Sequence, residues 1–166
     1  MNNVNFHLAE LARQIRGETL RLLAAAEPRW LTWAPPGTSN HILWHAGHAL
    51  WVVDALCIEE ITGRSELPPG WAESFGADCR PVRQTRQWPP RDEVHGLLVR
   101  QLTRFVQLIT DLPSQRLLMD GPMSGQRSLV SEIIHGWHDE AKHQGEMFLL
   151  SKMCRAGKWS DVLPSD

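Results

Sequence analysis

An all-α chain of four long helices, with a long crossover between the second and the third, is what three features of the sequence predict. Apolar residues recur at spacings of three and four over four separate stretches, the pattern of helices with one buried side. Little in the chain alternates in the manner of a strand. The second and third patterns are separated by a Pro-, Gly- and Arg-bearing connection from Arg64 to Pro89 that has no periodicity. An antiparallel hairpin needs only a few residues, so a connection this long runs the length of a bundle and starts the next helix beside the previous one, parallel to it. The expected architecture is a four-helix bundle ordered up-down-down-up. At 166 residues the chain is large enough for a real core, and no repeat, low-complexity tract or boundary divides it, so residues 1–166 are read as a single domain.

The first helical pattern runs from about Val4 to Ala26, with Leu8, Leu11, Ile15 and Leu22 on one stripe and Pro28 ending it. Trp30, Trp33 and Pro35-Pro36-Gly37 follow, and Ser39 stands where an N-cap would be, its hydroxyl free to accept a first-turn N–H. The second helix is read from about Asn40 to Thr62, with Gly63 as its stop. Ile42, Leu43, Ala46, Ala49, Leu50, Val53 and Cys57 cover one broad side of it; Trp44, Trp51, Ala55 and Ile58 lie on the rest, broken mainly by Asp54. A helix this apolar is buried on more than one face. Left in water, those Trp and Ile side chains would form a larger patch than soluble monomers usually carry, which predicts a homodimer through helix two. The competing cover is the connection itself, through Leu67, Trp71 and Phe75. The third helix runs from about Pro90, suited to a first turn, to Leu112, with Val94, Leu98, Phe105 and Ile109 on its stripe. A turn-rich segment (Asp120-Gly121-Pro122, Gly125) leads to the fourth, from about Ser128 to Arg155, which Gly157 ends.

Composition narrows the function. A net charge of −2 and a pI near 6.4, with Lys and Arg scattered, exclude the concentrated basic face of a nucleic-acid binder. No apolar stretch reaches the roughly 18 to 20 residues of a membrane span, and the N-terminus lacks a basic-then-apolar signal. Cys57, Cys79 and Cys154 are odd in number and show no CxxC spacing, which argues against a disulfide scaffold or zinc ribbon and for the reducing cytoplasm. Eight Trp occur with no Tyr.

Two clusters carry chemistry. In the fourth helix, His135, His138, Asp139, Glu140 and His143 crowd together beside an apolar side formed by Ile133, Trp137, Ala141, Gln144 and Phe148. At about 100° per residue, His143 stands roughly 40° from Asp139 and 60° from Glu140, but about 140° from His138. A carboxylate and His143 can therefore share one ion, with His135 one turn below Asp139, whereas His138 and His143 cannot. Glu140 lies nearer the apolar side, so both carboxylates stay open as ligands. In helix two, His41, His45 and His48 fall within about 60° of one another on an otherwise apolar helix. Neutral imidazole suits zinc, nickel and iron, and three protein ligands with an open position mark a catalytic site. The alternative for the fourth helix is a solvated polar face.

Over essentially its full length the chain resembles the DinB superfamily of bacterial four-helix bundles. The residues that carry the likeness are Ser39-Asn40, Trp44-His45-Ala46-Gly47-His48, Asp54 and Ile61-Thr62-Gly63, then His135, Asp139-Glu140-Ala141 and His143-Gln144-Gly145-Glu146. The family places one metal-binding His in helix two and two ligands four residues apart in helix four; position by position these are His48, Asp139 and His143. Many relatives carry His where this chain has Asp139, and the mycothiol-dependent maleylpyruvate isomerase branch has a carboxylate there.

The resemblance implies a divalent ion, zinc or nickel first and iron or manganese next. It also implies a metal-dependent enzyme of stress or detoxification chemistry, a thiol S-transferase using bacillithiol, mycothiol or glutathione on a small-molecule electrophile. DinB-like bundles are often dimers. Two rivals remain. One is a non-catalytic dimeric bundle with a structural or vestigial metal. The other is a carboxylate-bridged di-iron protein suggested by Glu140-x-x-His143, although Glu59 and Glu60 bring no second His.

Overall fold

The computed structural model describes residues 3–79, 88–121 and 127–157. Among them the chain is all-helical, apart from a single antiparallel bridge between Asp120 and Ser128. Helix α1 spans Asn3–Ala25, and a short 3-10 turn at Pro28–Trp30 follows. Helix α2 (Ile42–Val53) runs on through a π-helical turn (Asp54–Ile58) into α3 (Glu59–Thr62), which Gly63 ends in the left-handed conformation expected of a C-terminal glycine. A short α4 (Trp71–Phe75) lies in the connection; α5 spans Arg91–Asp111 and α6 Leu129–Arg155. Among the described residues no helix is long and apolar enough to cross a membrane. The three cysteines are free and buried.

Four details differ from the sequence reading. Helix two begins at Ile42 rather than Asn40, because the cap is His41: its Nδ1 accepts from the Trp44 N–H at 3.0 Å, while the Ser39 hydroxyl turns to Asn40. Pro90 is the cap of α5 rather than its first residue. The connection is helical at α4, and residues 80–87 of it lie outside the described residues, as do Pro122 and Gly125 of the turn-rich segment. Phe148, placed on the apolar side of α6, is half exposed, and the buried stripe instead runs through Ile133, Trp137, Glu140, Met147, Leu150 and Cys154.

The connection also covers helix two. Trp71 donates its indole N–H to the Gly47 carbonyl at 3.0 Å, and the Phe75 ring lies so close to Gly47 that a Cβ there would stand 2.2 Å from it. Trp44 and Ile58 are buried within the chain, and Trp51 and Ala55 are half-buried. Part of the apolar face of helix two is thus covered by α4, with Trp51 and Ala55 still partly exposed.

The helices pair through identifiable contacts. Asn5 at the start of α1 donates to the Ile109 and Leu112 carbonyls at the end of α5, and Arg91 at the start of α5 reaches the Ala26 carbonyl. Helix α6 packs on both α1 and α2. The apolar core falls into two clusters, one around Leu23, Ile42, Leu50, Phe75 and Leu98, the other around Leu8, Val53, Phe105, Ile133 and Trp137. Between them along the helices lies a buried polar layer. Arg16 donates in bidentate fashion to Glu140 at 2.9 and 2.8 Å, and further to Gln101 Oε1 at 3.0 Å and the Leu98 carbonyl at 3.1 Å. Thr19 donates to Glu140 at 2.6 Å, and Gln101 donates to the Leu50 carbonyl at 2.9 Å, so the layer touches α1, α2, α5 and α6.

Glu140→Ala should therefore lower the stability to urea by about 3–5 kcal/mol, because it strands a buried guanidinium. The double change Arg16→Met with Glu140→Leu should recover most of that loss. A single change that costs less than about 1 kcal/mol would mean that the pair is not shielded as described.

Candidate metal centre

The imidazoles of helix two are aimed by their neighbours. The Nδ1 of His48 lies 2.6 Å from the Phe75 carbonyl, which can only accept, so Nδ1 carries the hydrogen and the lone pair on Nε2 faces inward. Trp44 stacks on the same ring at 4.7 Å between centroids, and His143 meets it edge-on at 4.5 Å. His48 Nε2 stands 3.5 Å from Asp139 Oδ2, and His143 Nε2 stands 3.3 Å from that same oxygen. Donor atoms of these three residues all lie within 4.8 Å of one another.

That spacing suits a metal. With bonds of about 2.0–2.2 Å, tetrahedral ligand atoms sit about 3.3–3.6 Å apart. Two imidazole nitrogens and a carboxylate oxygen are the donors of catalytic zinc and of related divalent sites. The hydrogen bond from His48 Nδ1 to a backbone carbonyl is the usual outer-shell anchor of a ligating histidine.

A second group shares His143. Its Nδ1 lies 2.8 Å from His45 Nδ1 and 3.1 Å from Glu146 Oε2, and His45 Nδ1 lies 3.0 Å from that oxygen. His45 is buried and Glu146 largely exposed. The hydrogen bond from His45 holds the Glu146 carboxyl down near about 2, against partial burial. Burial pushes His45 below the ordinary imidazole value, although Glu146 pulls the other way. Both residues line a cleft of about 350 Å³, together with Pro35, Thr38, Asn40, Leu149 and Met153.

The structure therefore brings His48, Asp139 and His143 together, with His45 beside His143, and separates Glu140, His138, His135 and His41 from them. Glu140 faces α1 with both oxygens bonded, which leaves it no part in a di-iron site. His138 is exposed. The Nδ1 of His135 lies 3.2 Å from Arg127, away from the cluster. His41 is a helix cap, packed edge-on against Trp88 at 4.8 Å and pushed by burial, then by His45, down to about 4. Sequence reasoning had no site role for Glu146; its spacing of three residues from His143 was the available signal.

The sequence pattern of the DinB superfamily matches residues 11–147, and the chain belongs to that superfamily. A conserved protein from Enterococcus faecalis, known from its crystal structure, superposes with a TM-score of 0.60 at 16% identity, over 92% of this chain and 98% of that one. Nothing among curated proteins matches the chain.

In the metal-free protein the pair of His143 and Asp139 makes stability depend on pH. The hydrogen bond from His143 holds the Asp139 carboxyl well below its ordinary range. Burial lowers His143, but the hydrogen bond and charge of Asp139, with Glu146, outweigh it and leave the imidazole raised. Asp139 stabilises above its unfolded pKa and loses that effect as pH falls. His143 stabilises below its unfolded pKa and loses that effect as pH rises through the raised value. The contribution is greatest between about pH 4 and about pH 6.5. Metal-free Asp139→Asn should trail the wild type in urea stability by more at about pH 5.5 than at about pH 9; an equal deficit at both would show that no charged pair forms.

Proposed function

We propose that this DinB-superfamily chain is a divalent-metal-dependent enzyme of the thiol-transfer type. In this reading His48 Nε2, Asp139 Oδ2 and His143 Nε2 hold one ion, zinc or nickel, and the four long helices form an up-down-down-up bundle. The observation that carries the reading is the His48 Nδ1 bond to the Phe75 carbonyl, which fixes the tautomer that leaves Nε2 pointing at Asp139 and His143. The bundle order is supported by pairings. Going up α2 and down α6, His45 meets His143 and Cys57 meets the Ile133 carbonyl, so those helices oppose each other. Arg16 with Glu140 and Thr19 with Gln144 advance together along α1 and α6.

Bound there, a divalent ion would supply positive charge that lowers the pKa of a small-molecule thiol beside it. The chain's own residues do the rest. His48 and Asp139 orient the centre, and Glu146 Oε2 stands 3.1 Å from His143 Nδ1. Trp44, buried and stacked on His48, keeps water from one side. The cleft beside His45 offers both apolar and hydrogen-bonding side chains to a small substrate. A structural ion is the second reading, favoured by the burial of His48 and by a cleft whose lining includes His45 and Glu146 but neither His48 nor Asp139.

Protein freed of metal should melt higher when zinc or nickel is added, by the equivalent of about 2.7 kcal/mol at a hundredfold excess over Kd. His48→Ala, His143→Ala and Asp139→Ala should abolish most of that gain, whereas His138→Ala should keep it, as should Glu140→Gln measured against its own metal-free state. A metal-dependent conjugation of an electrophile with glutathione, mycothiol or bacillithiol, lost in Asp139→Asn, would favour the enzyme over the structural ion. Loss of the ion in Glu140→Gln with retention in Asp139→Asn would displace the ligand set by one residue.

A further inference from the structure

His143 presents a set of donors at each of its two ring nitrogens, and the set at Nδ1 has no satisfactory account in hydrogen bonds. His45 Nδ1, His143 Nδ1 and Glu146 Oε2 form a triangle with edges of 2.8, 3.0 and 3.1 Å. If both nitrogens carry hydrogens, the two N–H groups oppose each other along the shortest edge. If one carries a hydrogen, the other nitrogen's lone pair faces the carboxylate oxygen. With Glu146 as a carboxylate, each assignment leaves one edge repulsive. A cation in front of the three atoms satisfies all of them at once.

The edge lengths also indicate a geometry. Ligands about 2.0–2.2 Å from an ion and at right angles to one another stand about 2.8–3.1 Å apart, the face of an octahedron, whereas tetrahedral ligands stand about 3.3–3.6 Å apart. The triangle at Nδ1 matches the first spacing, and the edges measured at Nε2 match the second. His45 and Glu146 line the cleft of about 350 Å³, so positions opposite the triangle would open to ligand and solvent.

We propose that the centre is two-position: a second divalent ion, of an octahedral-preferring kind such as Fe2+, Mn2+ or Ni2+, binds at His45 Nδ1, His143 Nδ1 and Glu146 Oε2 and faces the cleft. Its binding forms a bond to His143 Nδ1 and releases the proton of that nitrogen to solvent, with no electron transferred. The inference rests on the proposed first position only in that His143 is shared between the two.

Co2+ tests it, because tetrahedral cobalt absorbs visible light intensely and six-coordinate cobalt weakly. Metal-free wild type should take up two Co2+ per chain in equilibrium dialysis, one giving the intense band and the other only weak absorption with release of a proton. Glu146→Gln should stop at one ion and keep the intense band. Asp139→Asn should lose the intense band and keep the weakly absorbing ion. A wild type that binds a single ion, or a second ion that Glu146→Gln does not remove, overturns the two-position centre. An intense band that survives in Asp139→Asn tells instead against the first position, while the Glu146→Gln result still decides the second.

Discussion

Arg16 and Glu140 are opposite charges taken wholly out of water, and such a pair is tolerated only when geometry is good and the remaining donors and acceptors are filled. Here they are filled by every long helix: Thr19 from α1, the Leu50 carbonyl through Gln101 from α2, and Gln101 and the Leu98 carbonyl from α5. Two apolar clusters, one at each end of the molecule, are thereby separated by a layer whose bonds are directional. Apolar packing alone is permissive about rotation and register. A bidentate guanidinium is not, so the layer fixes how α6 is turned about its axis.

That rotation decides the chemistry of the neighbouring residues. With Glu140 and, one turn on, Gln144 committed to α1, residues 139 and 143 are turned by about 100° toward α2. Asp139 and His143 then meet His48. Of the two adjacent carboxylates, both open on spacing alone, an arginine far upstream holds Glu140 and leaves Asp139 beside His48 and His143. The crossover contributes equally. Helix α4 seats Phe75 over Gly47, where the absence of a Cβ makes room, and the Phe75 carbonyl then selects the His48 tautomer. The connection therefore does more than link α3 to α5, since its Phe75 carbonyl orients the His48 imidazole.

Much of this was legible because it follows the helical period. The four long helices come from spacings of three and four and the stop at Gly63 from the glycine itself, whereas His48 is picked out from the three histidines of helix two only by the family resemblance. What was not legible depended on partners distant in sequence. Arg16 reads as a polar surface residue until Glu140 is known to face it, and Glu140 reads as a ligand until Arg16 is known to hold it. His41, His45 and His48 share a stripe yet serve as a cap, a neighbour of Glu146 and a member of the inner cluster, because each meets a different element. Helix α4 is too short to show a period, and the π-helical turn at Asp54–Ile58, with its bond from the Glu59 N–H back to the Asp54 carbonyl, leaves no periodic mark in the sequence.

The abundance of tryptophan finds a partial reason in the same helix. Trp44 touches His45, His48 and His143, Trp51 lies against His48, Trp88 against His41, and Trp71 bonds the backbone between them. Imidazoles that are to present bare lone pairs inward need neighbours that fill volume, shed water and offer no competing acceptor. An indole meets all three conditions, since it is large and flat and its one polar group only donates. A carboxamide or carboxylate in those places would compete for the imidazole hydrogens or for any cation. The aromatic wall of α2 and the donor set it surrounds are in this sense one construction, held in register by the buried pair between α1 and α6.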